Sequence, residues 1–414
     1  MTKRWVAVLG GVIIMMIGGT LGPGQTLSAG SGAAWAAEVK FSGELRMRGE
    51  YNENMDFNQD ASDLQSFVGQ RSRVNLDIQA DTVSGFVQIQ DSRFWGEDSN
   101  LAAPNGFSDT GRELQATDLR QAYIQIKNLF GGPVTFKYGR QILAYGDERL
   151  VGGFEWSNFS RAYDGIKLSY GTTPLDVDLF TAKLNEASPA ADANFSGIYA
   201  TVKTLPGNNL QLYYLADIGD SGKNESTVGG RVQGKWNALD YTGELAVQAG
   251  DKSSTTARDA NAYALMAGYT IADLLGGLRV GAEYDFATGN DSTTADDETF
   301  NNLYPTNHLL YGLNDNGNVW SDINAWAVTL KAKPVKGVWC KLEYWNLQRD
   351  TGVKADGTPK TGAALAEGTE INLQAGYAYS DNLDFLIQVM QFTPDSVSGD
   401  DSQQYAVLQS MFKF

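Results

Sequence analysis

The sequence is poor in the residues that usually build metal sites and active sites. Among its 414 residues it has one cysteine, Cys340, and one histidine, His308. A single cysteine excludes an intramolecular disulfide and a cysteine metal cluster. A single histidine excludes a multi-histidine metal site and a triad with a second histidine, and the preceding Pro305–Asn307 is typical of a turn. We therefore expect no metal site, no cofactor and no enzymatic activity.

Long apolar runs are missing after residue 20, so no transmembrane helix is expected there. The N-terminus differs: two basic residues precede the apolar run Val6–Ile17, and a small-residue site follows at Ala34–Ala36. This pattern predicts a signal peptide over residues 1–36 and a single domain over residues 37–414. An exported chain without a membrane helix is either soluble outside the inner membrane or a membrane β-barrel.

Positive charge is scarce. Without the two basic residues of the N-terminal segment, 30 basic residues remain against 49 acidic ones, a formal charge of −19. Such an excess argues against binding to nucleic acid and against docking on anionic lipid.

Alternating apolar and polar residues predict eighteen strands after the N-terminal segment. In the second, Val74 and Leu76 alternate with Arg73 and Asn75, so one face of each strand is apolar and the other polar. Most segments have about the 9–11 residues that a tilted strand needs to cross a bilayer. Among them, the sixth, eleventh and twelfth strands are predicted at Ser160–Tyr170, Tyr241–Ala249 and Ala262–Thr270.

The connections between these strands alternate strictly in length. Tight links such as Asp81–Val83 and Asn128–Gly132 follow even strands, whereas long polar ones such as Asn52–Asp63, Ser92–Gln115 and Thr288–Ser321 follow odd strands. A soluble β-sandwich has no reason to keep this alternation. It predicts an all-β fold, a transmembrane antiparallel β-barrel of about 18 strands with both termini in the periplasm and an apolar face against outer-membrane lipid.

Two segments resemble a known family. The first, within Lys137–Gly171, contains GRQ, YGD, RL, W-x-N and R-x-Y-D-G in that order, and the second, Phe300–Gly312, reads FNNLYPTNHLLYG. Both are similar to segments of the alginate export family of outer-membrane β-barrels. The resemblance implies a monomer in the outer membrane of a Gram-negative bacterium that secretes the polyuronate alginate. The terminal Phe414 also looks like the C-terminal signal of such barrels, which implies the barrel insertion machinery as a partner.

The polar strand faces predict the lining of the lumen. Eighteen strands enclose a polar bore, and its predicted basic lining comprises Arg46, Arg48, Arg71, Arg73, Lys137, Arg161, Lys167, Arg231 and Lys235. Arginine and lysine on a pore wall attract anions, and arginine can bind a carboxylate through two hydrogen bonds. Alternatively, these charges pair with inward acids and support the barrel's shape. The resemblance further implies an inward loop that narrows the pore, with Asp147, Arg149, Trp156 and Asn158 as constriction candidates.

The leading hypothesis is a passive outer-membrane channel for an anionic or polar polysaccharide or oligosaccharide, with alginate-like export suggested by the resemblance. A general anion-selective or nutrient porin for small anionic solutes is the alternative. A membrane-embedded hydrolase is more distant, because His308 would be its only candidate base. An adhesin or structural barrel would have a closed lumen. The acidic outer loops could contact divalent cations near lipopolysaccharide, but their spacing specifies no site.

Overall fold

The structure, a computed structural model, describes most of the chain after residue 36. The described residues are 37–58, 63–96, 116–186, 192–205, 207–220, 222–290, 295–308, 310–314, 319–351, 367–395 and 401–414. The predicted signal peptide over residues 1–36 therefore lies outside the described residues.

Eighteen antiparallel strands form one closed sheet. They are β1 Glu38–Glu53, β2 Gln65–Ala80, β3 Val83–Phe94, β4 Ala116–Ile126, β5 Val134–Gln141, β6 Tyr163–Gly171, β7 Leu175–Asn185, β8 Ala193–Leu205, β9 Asn208–Ile218, β10 Asn224–Trp236, β11 Leu239–Ser253, β12 Thr256–Ile271, β13 Leu278–Ala287, β14 Ile323–Ala332, β15 Val338–Gln348, β16 Gly368–Ala378, β17 Leu383–Pro394 and β18 Gln403–Lys413. Each pairs with its chain neighbours, and β1 also pairs with β18, so the sheet has no open edge. The predicted 18-strand antiparallel barrel is confirmed.

Helical structure is slight in the described part of the chain. A 3-10 turn, Leu129–Gly131, lies between β4 and β5. None of the described residues belongs to a helix with the length and hydropathy needed to cross a bilayer.

The strands are apolar outside and polar inside. On β16, Ile371 and Leu373 are each 54% exposed, whereas Glu370, Asn372 and Gln374 between and beside them are almost completely buried. This is the reverse of a soluble protein, and it follows from the period-two alternation once the sheet closes with its apolar face outward. Closure also satisfies the backbone hydrogen bonds, which a strand in hydrocarbon requires.

The two ends of the barrel differ. Tight turns, including 81–82 and 237–238, connect strands at one end, here called the turn end. Most connections at the other end, the loop end, are longer, but residues 254–255 join β11 to β12 in a tight turn, so the predicted strict alternation in connection length is wrong there. Strands β11 and β12 extend beyond the predicted Ala249 and Ala262 at the loop end. Their added residues are mostly polar on both faces, so apolar periodicity does not reveal them.

Two long connections fold into the barrel at the loop end. Segment A comprises residues 142–162, and segment B comprises the described residues between 288 and 322. Their apolar residues, among them Leu150, Val151 and Phe300, form a buried cluster with inward aromatic residues of the strands. The sixth strand begins at Tyr163 and not at the predicted Ser160, because Ser160–Ala162 belongs to segment A.

Two glycines of the first family-like segment lie where segment A begins and ends. Gly139 on β5 is directly opposite Gly165 on β6. A side chain at Gly139 would lie 2.3 Å from the Ala122 carbonyl oxygen, and one at Gly165 would lie 2.3 Å from the Thr181 carbonyl oxygen. Gly139 also has a φ of +120°, which favours glycine. This pair therefore allows the close strand approach below segment A.

Candidate transport path

Five arginines on one wall converge on segment A. Arg46 and Arg48 project from β1, Arg71 and Arg73 from β2, and Arg120 from β4; we call them the arginine cluster. All five are at most 6% exposed. Arg46 lies directly opposite Arg71 in the sheet, and both reach the segment because strand alternation directs them inward.

The arginine cluster binds the backbone of segment A through its guanidinium groups. Arg46 Nη1 donates to the carbonyl oxygens of Glu155 (3.1 Å) and Trp156 (2.9 Å). Arg71 Nη1 donates to the carbonyl oxygens of Glu155 (2.8 Å) and Ser157 (3.0 Å). Charge-assisted hydrogen bonds of this kind are about twice as strong as neutral ones, so the cluster holds the segment against the β1–β4 wall.

The Glu155 carboxylate completes this arrangement. It accepts a hydrogen bond from Arg73 Nη1 at 2.6 Å and a short one from Arg120, and it lies 3.6 Å from Arg71 Nη1. Burial raises the pKa of Glu155, but Arg73, Arg120 and Arg71 together lower it below its usual value. The carboxylate is therefore ionised at neutral pH.

Two further acids belong to the same wall, Glu44 and Glu50. Glu44 lies 2.7 Å from Arg71, and Glu50 lies 2.6 Å from Arg48. With Glu155, three carboxylates face the five guanidinium groups of the cluster, so these eight side chains together carry a formal charge of +2.

Sequence reasoning missed Arg120 and Glu155. Uniform alternation along β4 places Arg120 on the lipid face with Ala122. A β-bulge between the Gln88–Gln121 and Ile89–Leu119 pairs inserts Arg120 as an extra residue, and the shift turns its side chain inward. No local pattern signals that bulge. Glu155 could have been suspected as the acid that precedes the W-x-N motif.

The predicted constriction residues all lie in segment A. Trp156 is sandwiched between the Arg48 guanidinium, 4.1 Å from its ring, and the His308 ring, whose centroid is 3.8 Å away and nearly parallel. Asn158 Oδ1 accepts a hydrogen bond from Arg46 Nη2 at 2.5 Å. Gly69 leaves the space for Asn158, because a Cβ there would lie 2.4 Å from the Asn158 amide nitrogen.

Arg149 is held on the opposite, acidic wall. Its guanidinium binds Asp285 (2.7 Å), Glu283 (2.5 Å) and Asp147 (3.1 Å), and the side chain is completely buried. Burial lowers the pKa of Arg149, but Asp285 and the other surrounding oxygens raise it well above its usual value. Arg231 continues this network, 3.6 Å from Glu244.

The two segments that resemble the alginate export family contact each other. Val151 of segment A forms a parallel bridge with Tyr304 of segment B. Thr306 Oγ1 donates to the Glu148 carboxylate at 2.6 Å and accepts from the Phe154 amide at 2.9 Å. The YPTNH residues of segment B thus serve as the surface against which segment A packs.

Arg161, predicted on a strand, lies in segment A. Its guanidinium donates to the carbonyl oxygen of Pro305 at 3.0 Å, so it joins the two segments. The neighbouring wall carries Lys137 and Lys167 directly opposite each other on β5 and β6. Lys167 pairs with Asp178 at 2.9 Å, whereas the Lys137 ammonium lies 4.2 Å from the ring centroid of Tyr123.

A basic vestibule opens at the turn end. Its cavity of about 680 Å³ is lined by Lys235, Arg279, Lys331 and Lys333, with Asp240 as its acid. The Arg279 side chain packs over Gly268, and its guanidinium donates to both carboxylate oxygens of Asp240, at 2.6 and 2.8 Å. Within the described ranges, no carboxylate lies at ion-pair distance from Lys235 or Lys331.

A closed barrel of this kind, with a lipid-facing outer surface, a polar charged interior and two inward segments, is the architecture of an outer-membrane channel. The chain belongs to the alginate export family, since the family model described as "Alginate export" matches residues 37–406. The protein is therefore a channel and not an enzyme, and it resides in the outer membrane of a Gram-negative bacterium.

Several solved structures share the fold of this chain. Acinetobacter baumannii OccAB2 is similar with a TM-score of 0.62 at 12% identity, over 90% of this chain and 98% of that one. Pseudomonas aeruginosa OccK8 (OprE) has a TM-score of 0.61 at 14% identity, over 91% and 98%. Pseudomonas aeruginosa OprD has a TM-score of 0.58 at 13% identity, over 90% and 95%. No curated protein sequence matches this chain.

Proposed function

We propose that the barrel conducts an anionic polysaccharide or oligosaccharide passively across the outer membrane, and that export of an alginate-like polyuronate is its role. The observation that carries this proposal is a part of the inner wall where cations outnumber carboxylates, from the lysines of the turn-end vestibule to the arginine cluster with its formal charge of +2. Carboxylated sugars are attracted by such a wall.

The turn end faces the periplasm in this proposal, with both termini there, because outer-membrane barrels keep their short turns on that side. The cargo first meets Lys235 and Lys331, which have no carboxylate at ion-pair distance among the described residues, and then Lys137 and the arginine cluster. Conduction requires that each such contact be weak enough to be exchanged. The chain acts as a monomer, in contact with lipid and lipopolysaccharide, and enters the membrane through the barrel insertion machinery.

A general anion-selective or nutrient porin is the second candidate. It is favoured by the mixed charge of the lumen, where Glu244, Glu283 and Asp285 form an acidic wall opposite the arginines. Such a lumen suits small anionic solutes that also carry a cationic or hydroxyl group.

Single-channel recording in planar bilayers tests the proposal. We expect anion selectivity in a salt gradient and concentration-dependent block by oligogalacturonate, with no block by a neutral maltooligosaccharide of equal length. Anion selectivity without block, or cation selectivity, would refute the polyuronate proposal and leave a general porin.

Replacing Lys235 and Lys331 together by Gln is expected to lower the anion-to-cation permeability ratio roughly threefold, because two cations without carboxylate partners leave the vestibule. Reversal potentials in a tenfold salt gradient would measure the change. Lys127→Gln is the matched control, since Lys127 is an exposed lysine beside a turn at the same end. An equal effect of the control would show that general surface charge, and not the vestibule, sets the selectivity.

A further inference from the structure

Glu155 is the exposed member of an otherwise buried ionic cluster. Its side chain is 45% exposed, whereas the side chains of Arg73 and Arg120, which bind its carboxylate, are only 6% and 2% exposed. A solute in the lumen therefore meets Glu155 first, with the guanidinium groups directly behind it.

Some guanidinium N–H groups of the cluster are unpaired among the described residues. In the described part of the chain, Nε and Nη1 of Arg120 and Nε of Arg46 have no hydrogen-bond partner, although both side chains are 2% exposed. Buried donors without partners are costly. A ligand with more acceptor oxygens than Glu155 would satisfy them.

Segment A presents the arginines with the Glu155 carboxylate and four backbone carbonyl oxygens, from Glu155, Trp156, Ser157 and Arg161. A uronate residue presents a similar set, a carboxylate surrounded by hydroxyl and ring oxygens. The same guanidinium N–H donors can bind the oxygens of segment A and those of a uronate residue.

We propose that the arginine cluster is a carboxylate-binding site that Glu155 fills in this structure, and that a uronate carboxylate from the lumen takes its place and releases segment A. The identity of the cargo rests on the proposed function. The exchange replaces one negative charge by another, so the cluster keeps its formal charge while the Glu155 carboxylate moves into water. A neutral sugar cannot do this, because it would leave Arg120 without the Glu155 carboxylate and Arg73 with only Glu44, at 3.1 Å, which Arg71 shares.

Isothermal titration calorimetry in detergent micelles tests the site, with trigalacturonate as the probe and maltotriose as its neutral counterpart. Glu155→Gln is expected to raise the affinity for trigalacturonate roughly tenfold, because the competing internal carboxylate is gone. Adding Arg73→Gln and Arg120→Gln to that variant should abolish the gain. Asp164→Asn, which removes an exposed carboxylate paired with Arg140 at 2.9 Å, is the matched control and should leave the affinity unchanged.

Equal affinity of Glu155→Gln and wild type, or an equal gain in the Asp164 variant, would overturn the site. Release of segment A is tested on the wild type by limited tryptic cleavage within residues 142–162, which trigalacturonate should accelerate and maltotriose should not. Binding without faster cleavage would refute the release. The bilayer recordings decide the transport proposal separately, since polyuronate can block the pore whether or not it displaces Glu155.

Discussion

Arg149→Met is expected to destabilise the barrel by about 3–5 kcal/mol, since it leaves a group of buried carboxylates without their cation. The guanidinium lies between Asp285 at 2.7 Å, Glu283 at 2.5 Å and Asp147 at 3.1 Å, and Arg149 is 1% exposed. Methionine retains most of the apolar stem, so the loss comes from charge and hydrogen bonds. Urea unfolding of the refolded barrel in lipid vesicles, followed by tryptophan fluorescence, would measure it.

Neutralising the acids around Arg149 should recover much of the lost stability. Adding Glu283→Gln and Asp285→Asn to Arg149→Met removes two of the three charges, while Asp147 keeps Arg231 at 4.0 Å, and we expect more than half of the lost stability to return. Arg93→Met is the matched control, because Arg93 forms an exposed pair with Asp91 at 2.6 Å and such pairs contribute about 0–1 kcal/mol. A loss below about 1 kcal/mol for Arg149→Met would contradict the role assigned to this network.

Shortening segment A is expected to raise the single-channel conductance severalfold and to increase anion selectivity. Gln141 and Tyr163, which flank the segment, are directly paired in the sheet, so a four-residue glycine-rich turn can replace residues 142–162 without disturbing β5 or β6. The change empties part of the loop-end lumen and exposes the arginine cluster to water. Planar bilayer recording in a salt gradient gives both quantities.

A variant of unchanged length, with residues 144–160 replaced by glycine and serine, separates the effect of the segment's volume from the effect of its contacts with the wall. It keeps the volume of chain but loses the contacts of Glu155, Trp156 and Asn158 with the wall. We expect a noisy conductance between those of the wild type and the shortened barrel. A shortened barrel with wild-type conductance would show that segment A lies off the conducting path.

The strands could be predicted because their signals are local. Alternation is visible within ten residues, as for Ile371 and Leu373 against Asn372 and Gln374, and connection length is visible without knowing the fold. The same argument failed where alternation is interrupted or stops. The bulge at Arg120 turns inward a side chain that uniform alternation would place on the lipid face, and the polar ends of β11 and β12 have no apolar face to mark them.

The contacts of the path could not be predicted, because they join residues that only the closed barrel brings together. Arg46 and Glu155 are 109 positions apart, and Arg149 and Asp285 are 136 apart. Alternation indicates that an arginine points inward, but not whether it meets water, an acid or a loop.

The amino-acid sequence alone therefore determines the barrel, its strand number and the inward or outward direction of most side chains, since these depend on short-range periodicity and turn length. Tertiary structure decides which inward cations are paired and which are free. The arginine cluster is occupied by segment A, whereas Lys235 and Lys331 have no carboxylate partner in the described residues. That difference arises because the path of a long connection depends on the charges and the space at a distant part of the barrel wall. No single stretch of sequence contains both the connection and that wall.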